Sequence, residues 1–96
     1  MRKVPTYSAS KFPLGRVVAT TGAYDALTPL DIKRGLFFHS QGDWGDVDAD
    51  DWRENDFSVP RHLRILSAYT AENGTRFWVI TEADRSATTV LLPEEY

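Results

Sequence analysis

An Asn-Gly pair between two runs of strand-forming residues constrains the fold more than any other feature of this sequence. Residues 63–71 and 75–81 are rich in β-branched and aromatic side chains, and Asn73-Gly74 stands between them. A two-residue type I′ turn needs positive φ at both central positions, which Asn and Gly adopt most readily. The pattern therefore predicts a β-hairpin with Tyr69 opposite Trp78. In that register one face carries Tyr69, Trp78 and Ile80, and the other carries Leu66, Ala68, Phe77 and Val79.

The segments around the hairpin complete an α+β fold. A turn over residues 83–86 leads to a third strand over 88–92, which Pro93 ends because proline donates no hydrogen bond to a sheet. Residues 15–20 form a short, β-branched strand candidate. The sequence thus predicts an N-terminal short strand and two or three short helices, packed on a C-terminal antiparallel sheet of three to four strands.

Helix start and stop signals place the helices between these strands. Thr28, followed by proline, is a capping residue, and Gly42 is a natural helix stop. Asp48 is predicted to cap a short helix over residues 49–55, and Pro60 is predicted to end that region.

Length and composition fit one small domain. We divide the chain of 96 residues into an extended N-terminal arm, residues 1–13, and a single domain, residues 14–96. The chain contains no cysteine, which removes disulfides, thiolate metal sites and cysteine nucleophiles. No apolar run resembles a signal peptide or a membrane span, so we expect a protein of a bacterial-type cytoplasm with no membrane partner. The net charge of −3 disfavours duplex DNA as a direct ligand.

Acidic residues concentrate in one segment. Residues 43–56 hold seven acidic side chains against the single Arg53. The spacing from Asp46 imitates an EF-hand calcium loop, but Asp51 stands where that loop needs glycine and Phe57 where it needs glutamate. We therefore predict no metal site and no cofactor, and interpret the segment either as a solvated face or as a protein-binding face. The predicted binding residues are Asp43, Trp44, Asp46, Asp48, Asp50, Asp51 and Trp52.

A second set of residues could serve a ribonuclease. Arg85 is a candidate phosphate clamp, Glu82 a candidate base, and His39 a candidate acid or base. Each also has a structural interpretation. His39 stands at a predicted helix C-terminus, where the dipole stabilises a protonated imidazole. For residues 82–89 the favoured interpretation is a β-turn that leads into a strand.

Two passages of the chain carry a resemblance to known proteins. They are HSQGDWGD at residues 39–46 and the tail that contains ITEADRS at 80–86 and LLPEEY at 91–96. They resemble a family of short, uncharacterised bacterial proteins that is often found on plasmids and other mobile elements. The likeness covers nearly the whole chain apart from the N-terminal arm, and it implies membership without an activity.

The sequence departs from that family pattern at Phe38, where a basic residue is expected before the histidine, and in the irregular segment 57–63. The first departure weakens a catalytic role for His39. The layout of a helical N-terminal half before an antiparallel sheet is also similar to small microbial ribonucleases and RelE-type toxins. The resemblance to such enzymes implies a catalytic histidine, acting as the acid, near the last strands. No histidine follows His62 in this sequence.

The leading hypothesis is therefore a non-enzymatic accessory protein of a mobile element. It would act by binding another protein through its acidic face, and a basic, nucleic-acid-handling enzyme is the favoured kind of partner. The alternative is a small ribonuclease or RelE-like enzyme acting on RNA through His39, Glu82 and Arg85. A third class, a homodimer formed through a sheet edge, stays open.

Overall fold

The computed structural model describes residues 10–96, which form a four-stranded sheet with three helices against one face. In chain order the elements are β1 Arg16–Ala19, α1 Thr21–Ala26, α2 Pro29–Ser40, α3 Ala49–Arg61, β2 Ile65–Thr70, β3 Arg76–Thr81 and β4 Ala87–Leu91, with a final 3-10 turn at Pro93–Glu95. The strand order across the sheet is β1-β4-β3-β2. The predicted α+β class is confirmed. The last three strands are antiparallel, whereas β1 runs parallel to β4.

Side-chain caps begin the longer helices at the residues that the sequence indicates. Thr28 Oγ1 accepts the amide of Asp31 at 3.0 Å, and the Asp31 carboxylate accepts the amide of Thr28 in return, also at 3.0 Å. At the start of α3, Asp48 accepts the amide of Asp51 at 2.8 Å. These bonds satisfy amides that have no partner inside the helix, so they fix where α2 and α3 begin.

Two hydrophobic clusters fill the space between the helices and the sheet. The first joins α1 and α2 to the central strands and includes Ala23, Leu27, Leu36, Tyr69, Phe77, Val79 and Val90. The second joins α3 to the start of β2 and consists of Phe12, Leu14, Trp44 and Ile65, with Val47, Trp52 and Val59 packed against it. Of the predicted N-terminal arm, residues 1–9 lie outside the described residues, whereas Phe12 is buried in this second cluster.

The hairpin forms where it was predicted, but its register differs by one residue. Tyr69 lies opposite Phe77, and Ala68 lies opposite Trp78. The prediction that Tyr69 faces Trp78 is therefore wrong, and Tyr69 shares the helix-covered face with Phe77. The cause is the turn: the Gly74 amide donates to the Ala71 carbonyl at 2.9 Å, and Gly74 has a φ of +90°. This geometry is a type I turn followed by a glycine bulge, which adds one residue to the two-residue loop.

Helix α3 is longer than the sequence indicated. It extends over 13 residues and contains Pro60 in its last turn, so the prediction that Pro60 ends the region is wrong. Proline removes only its own amide bond, and the helix instead ends at His62, which has a left-handed φ of 56°. The amide of Leu63 then donates to the Ser58 carbonyl at 3.2 Å, which closes the last turn. No helix within residues 10–96 is long and apolar enough to cross a membrane.

Candidate functional site

The acidic segment runs along the outer edge of β2 before it enters α3. The amide of Asp46 donates to the carbonyl of Ala68 at 2.7 Å, and the amide of Ala68 donates to the carbonyl of Trp44 at 3.1 Å. Asn55 of α3 continues this cover, since its side-chain amide donates to the Leu66 carbonyl at 2.8 Å and its oxygen accepts the Leu66 amide at 3.2 Å. The edge of β2 is thereby paired, although none of the described residues forms a fifth strand beside it.

Trp44 anchors this segment to the body of the protein. Its side chain is only 1% exposed, and the indole N–H donates to the Asp56 carboxylate at 2.9 Å. Trp44, predicted as a binding residue, therefore offers no exposed edge to a partner, because its side chain fills the space between α3 and β2 in the second cluster. Trp52 is half-buried against the same cluster. The aromatic residues of the acidic segment hold it in place rather than extend into solvent.

Four of the acidic residues have local structural partners while remaining exposed. The Asp43 carboxylate accepts the Gly45 amide, that of Asp46 accepts the Thr70 hydroxyl, that of Asp48 caps α3, and that of Asp56 accepts the Trp44 indole. These bonds shape the segment, so a change at any of the four alters the fold locally as well as the surface charge.

The remaining acids form a surface that we call the α3 outer face, defined by Asp50, Asp51, Glu54 and Phe57. Positions 50, 54 and 57 follow the i, i+4, i+7 spacing that aligns side chains on one stripe of a helix. Phe57 is 48% exposed, and the Arg61 guanidinium lies 3.7 Å from its ring centroid. Asp50 forms an exposed ion pair with Arg53, which contributes little to stability. Within the described residues, neither Asp51 nor Glu54 forms an ion pair.

His39 lies far from solvent, between the two clusters. Its side chain is completely buried, and both ring nitrogens have hydroxyl partners: Nδ1 lies 2.5 Å from Ser67 Oγ, and Nε2 lies 2.8 Å from Thr81 Oγ1. Burial, together with the smaller effect of the positive charge of Arg85, lowers the pKa of His39 to about 3. The imidazole is therefore neutral at physiological pH. The prediction that His39 lies at a helix C-terminus is confirmed, since it stands in the last turn of α2, but the expectation of a protonated imidazole there is wrong.

The hydroxyl groups around His39 fix which ring nitrogen carries the proton. Thr88 donates to the carbonyl of Leu14 at 2.7 Å, so its oxygen accepts the proton of Thr81, which lies 2.7 Å away. Thr81 has then used its only proton, and it accepts a hydrogen bond from Nε2 of His39. Nδ1 is left as an acceptor for Ser67. The result is a directed chain of hydrogen bonds from β2 through α2 to β3, β4 and the segment before β1.

Arg85 is also a buried structural residue. Its guanidinium donates to five backbone carbonyls, those of Ser58, Val59, Leu63, Glu82 and Ala83, at 2.8 to 3.2 Å. Two of these carbonyls belong to the last turn of α3, where a cation is favoured by the helix dipole. Burial lowers the pKa of Arg85. The prediction of Arg85 as a phosphate clamp is wrong, because its donors are turned inward and already bonded.

The three residues of the alternative ribonuclease site do not converge on an open cleft. His39 and Arg85 lie on either side of Phe12, whose ring centroid is 5.4 Å from the imidazole and 5.7 Å from the guanidinium carbon. Glu82 is half-buried and lies 3.5 Å from Arg64, with no bond to His39. Among residues 10–96 no group of three or more His, Asp or Glu side chains is placed to hold a metal ion.

Two features of the site escaped the sequence prediction, although each has a signal. Ser67 and Thr81 occupy the same strand face as Ile65 and Val79, and a hydroxyl on an apolar face indicates a buried hydrogen bond. Phe57 carries no binding signal on its own, since the sequence places it after the predicted end of α3. Its helical spacing from Asp50 would have placed it on the acidic stripe, had α3 been extended past residue 55.

A scan against protein-family models and searches of curated proteins and of solved structures found no match to this chain. The resemblances to the plasmid-associated family and to RelE-type toxins therefore stay predictions, and the site is interpreted from its own geometry.

Proposed function

We propose that this chain is a protein-binding module that uses the α3 outer face to bind a basic surface of another protein. The observation that carries the proposal is the division of the acidic segment into two sets. The carboxylates of Asp43, Asp46, Asp48 and Asp56 accept hydrogen bonds that shape the segment. Asp50 and Glu54 instead lie beside the exposed Phe57, with Asp51 on the neighbouring stripe of the helix, and within residues 10–96 none of these three carboxylates is bonded to another element.

The composition of this face fits a contact surface. Exposed carboxylates speed association with a basic partner because their negative charge attracts it. The apolar ring of Phe57 adds nonpolar surface that is removed from water on binding. Arg61 already stacks on Phe57, so the ring is held in one position before any partner arrives. A rigid, preordered side chain loses less conformational entropy when it is buried.

The support under this face is also rigid. Asn55 and Ser58 are buried on the inner side of α3, and Asn55 is bonded twice to β2. Since the binding side chains and the anchoring side chains alternate along the same helix, the α3 outer face keeps its geometry when its charges are changed. This separation makes the proposal testable by substitution. The acidic face is thus proposed to act in an accessory protein of a mobile element, and a nucleic-acid-handling enzyme is the favoured class of basic partner.

The test is affinity capture from cells that carry the gene, with the double variant Asp51→Lys/Glu54→Lys. The matched control is Asp25→Lys/Glu72→Lys, which makes the same change in net charge at two exposed acids away from α3. We expect the parent chain and the control to recover the same basic protein, and the α3 variant to lose it. Recovery should also weaken as salt is raised.

Circular dichroism and a urea unfolding curve establish that both variants are folded. Equal recovery by all three chains would show that the α3 outer face is not the contact. Loss of the same protein from both variants would show that only net charge matters, which would also contradict the proposal.

A further inference from the structure

The sheet has one covered edge and one open edge. Segment 44–46 and Asn55 cover β2, whereas all four residues of β1 are exposed. The amides of Arg16 and Thr20 donate to β4, at 3.0 Å each. Since hydrogen bonding alternates along a strand, the amide and carbonyl groups of Val17 and Ala19 point away from the sheet. Within residues 10–96 these outward groups have no hydrogen-bond partner.

Apolar surface continues from this open edge. A groove of about 620 Å³ lies between β1 and the first two helices, and its lining includes Val17, Tyr24, Leu27 and Ile32. Val17 is 43% exposed and Tyr24 is 72% exposed. A monomer that leaves an unpaired strand edge beside exposed apolar side chains presents the features of a strand-pairing surface.

We propose that β1 pairs antiparallel with β1 of a second copy of this chain, which joins the two sheets into one of eight strands. The outward groups fix the register: Val17 of one copy exchanges two hydrogen bonds with Ala19 of the other, and the twofold axis passes between the two Val18 residues. This pairing forms four backbone hydrogen bonds and brings the two apolar grooves together across the axis.

Charge complementarity favours a second copy as the occupant. In this register Arg16 lies opposite Thr20 of the second copy, and residues opposite each other share a face of the sheet. The Thr20 hydroxyl donates to the Glu95 carboxylate at 2.6 Å, and this exposed carboxylate has no cation partner in the described part of the chain. Arg16 is exposed as well and is placed to reach Glu95 of the second copy, so the pairing forms two symmetric ion pairs. The two Arg16 side chains themselves lie at opposite ends of the strand pair.

The covered edge of β2 sets the size of the assembly. Within residues 10–96 the open edge for strand addition is β1, and one twofold contact uses that edge in both copies. The assembly therefore closes as a dimer and does not grow into a fibre. This inference does not depend on the proposed function, since the α3 outer face and the β1 edge are different surfaces.

The test is sedimentation equilibrium of the full chain over a wide range of concentration, with two variants. Val17→Pro removes an outward amide and leaves the bonds between β1 and β4 in place. We expect the parent chain to approach the dimer mass and Val17→Pro to stay monomeric. The two unfolding curves should agree when both are measured at a concentration at which the parent is also monomeric. Arg16→Glu places like charges beside each other, and we expect it to raise the dimer dissociation constant about tenfold or more.

A parent chain that stays monomeric at the highest concentration would overturn the proposal. A Val17→Pro chain that dimerises like the parent would overturn it as well, because the contact would then lie on another surface. Masses above the dimer would contradict the closed assembly.

Discussion

At the scale of single residues, the most informative side chain is His39, whose two ring nitrogens join α2 to β2 and to β3. A histidine held between Ser67 and Thr81, with aromatic rings on either side, is stable only while it is neutral. His39 therefore binds a proton in the unfolded chain and not in the folded one, so the free energy of unfolding depends on pH.

The first prediction concerns this link. The folded pKa of His39, about 3, lies below the unfolded value of 6.5, so stability is complete above pH 6.5 and is lost as the pH falls toward 3. Between pH 7 and pH 5 the free energy of unfolding should fall by about 2 kcal/mol, measured by urea denaturation. The carboxylates of Asp31, Asp84 and Glu95 have lowered pKa values, so they contribute only at lower pH.

His62→Gln is the control for this prediction, because His62 is exposed and its loss should leave the decrease intact. Nitrogen NMR of the His39 ring gives a second measurement that needs no variant. The ring should remain neutral and protonated on Nε2 from pH 7 to pH 5. A His39 that titrates near its ordinary pKa would disprove the buried network.

Residue type alone could not reveal these structural roles. The side chains of His39, Glu82 and Arg85 have acid, base and cation chemistry wherever they lie, and their burial depends on the tertiary structure. Arg85 shows the difficulty most clearly. It stands in a polar turn between Asp84 and Ser86, yet its guanidinium extends inward to the end of α3, which lies more than twenty residues earlier in the chain.

At the scale of elements, local signals predicted where helices and the hairpin begin but not how far they extend or pair. Thr28, Asp48 and the Asn73-Gly74 pair act through neighbours two or three residues away, so the sequence contains their whole geometry. The register of β2 and β3 depends on a bulge at Gly74, and the parallel pairing of β1 with β4 depends on the entire chain between them. Those features arise from tertiary packing.

The second prediction tests the cover on the β2 edge. Gly45 has a φ of +75°, and a Cβ atom there would lie 2.1 Å from the Ala68 carbonyl oxygen. Gly45→Ala should therefore displace the segment and lower the free energy of unfolding by about 3 kcal/mol or more. Gly74→Ala is the matched control, since Gly74 also has a positive φ but nothing within 4 Å of its Cβ position.

In the Gly74→Ala control, the free energy of unfolding measured by urea denaturation should fall by only about 1 to 2 kcal/mol, because alanine is disfavoured in a left-handed conformation. If the two variants lost equal stability, segment 44–46 would not be packed closely against β2. Gly45→Ala should also aggregate more readily than Gly74→Ala, because it uncovers a strand edge.

At the scale of the whole molecule, the residues that stabilise the fold differ from those that form the proposed binding surfaces. The ionisable side chains of His39 and Arg85 are buried, and both are hydrogen-bonded within the protein. The β2 edge of the sheet is covered by segment 44–46 and Asn55. Among the exposed surfaces of the described residues, the α3 outer face combines an apolar ring with carboxylates, and the β1 edge combines apolar side chains with backbone groups that point away from the sheet. This arrangement is the reason to regard the protein as a binding module.

The most direct test of that view is photo-crosslinking in cells that carry the gene, with benzoylphenylalanine in place of Phe57. The matched control is the same replacement at Phe38, an aromatic residue of α2 with a similar exposure of 41%. We predict that position 57 forms a discrete adduct with a basic protein, that Asp51→Lys/Glu54→Lys abolishes it, and that position 38 does not form it. Failure to form an adduct at position 57, or an adduct that forms equally at position 38 or survives the charge reversal, would contradict the proposed role of the α3 outer face.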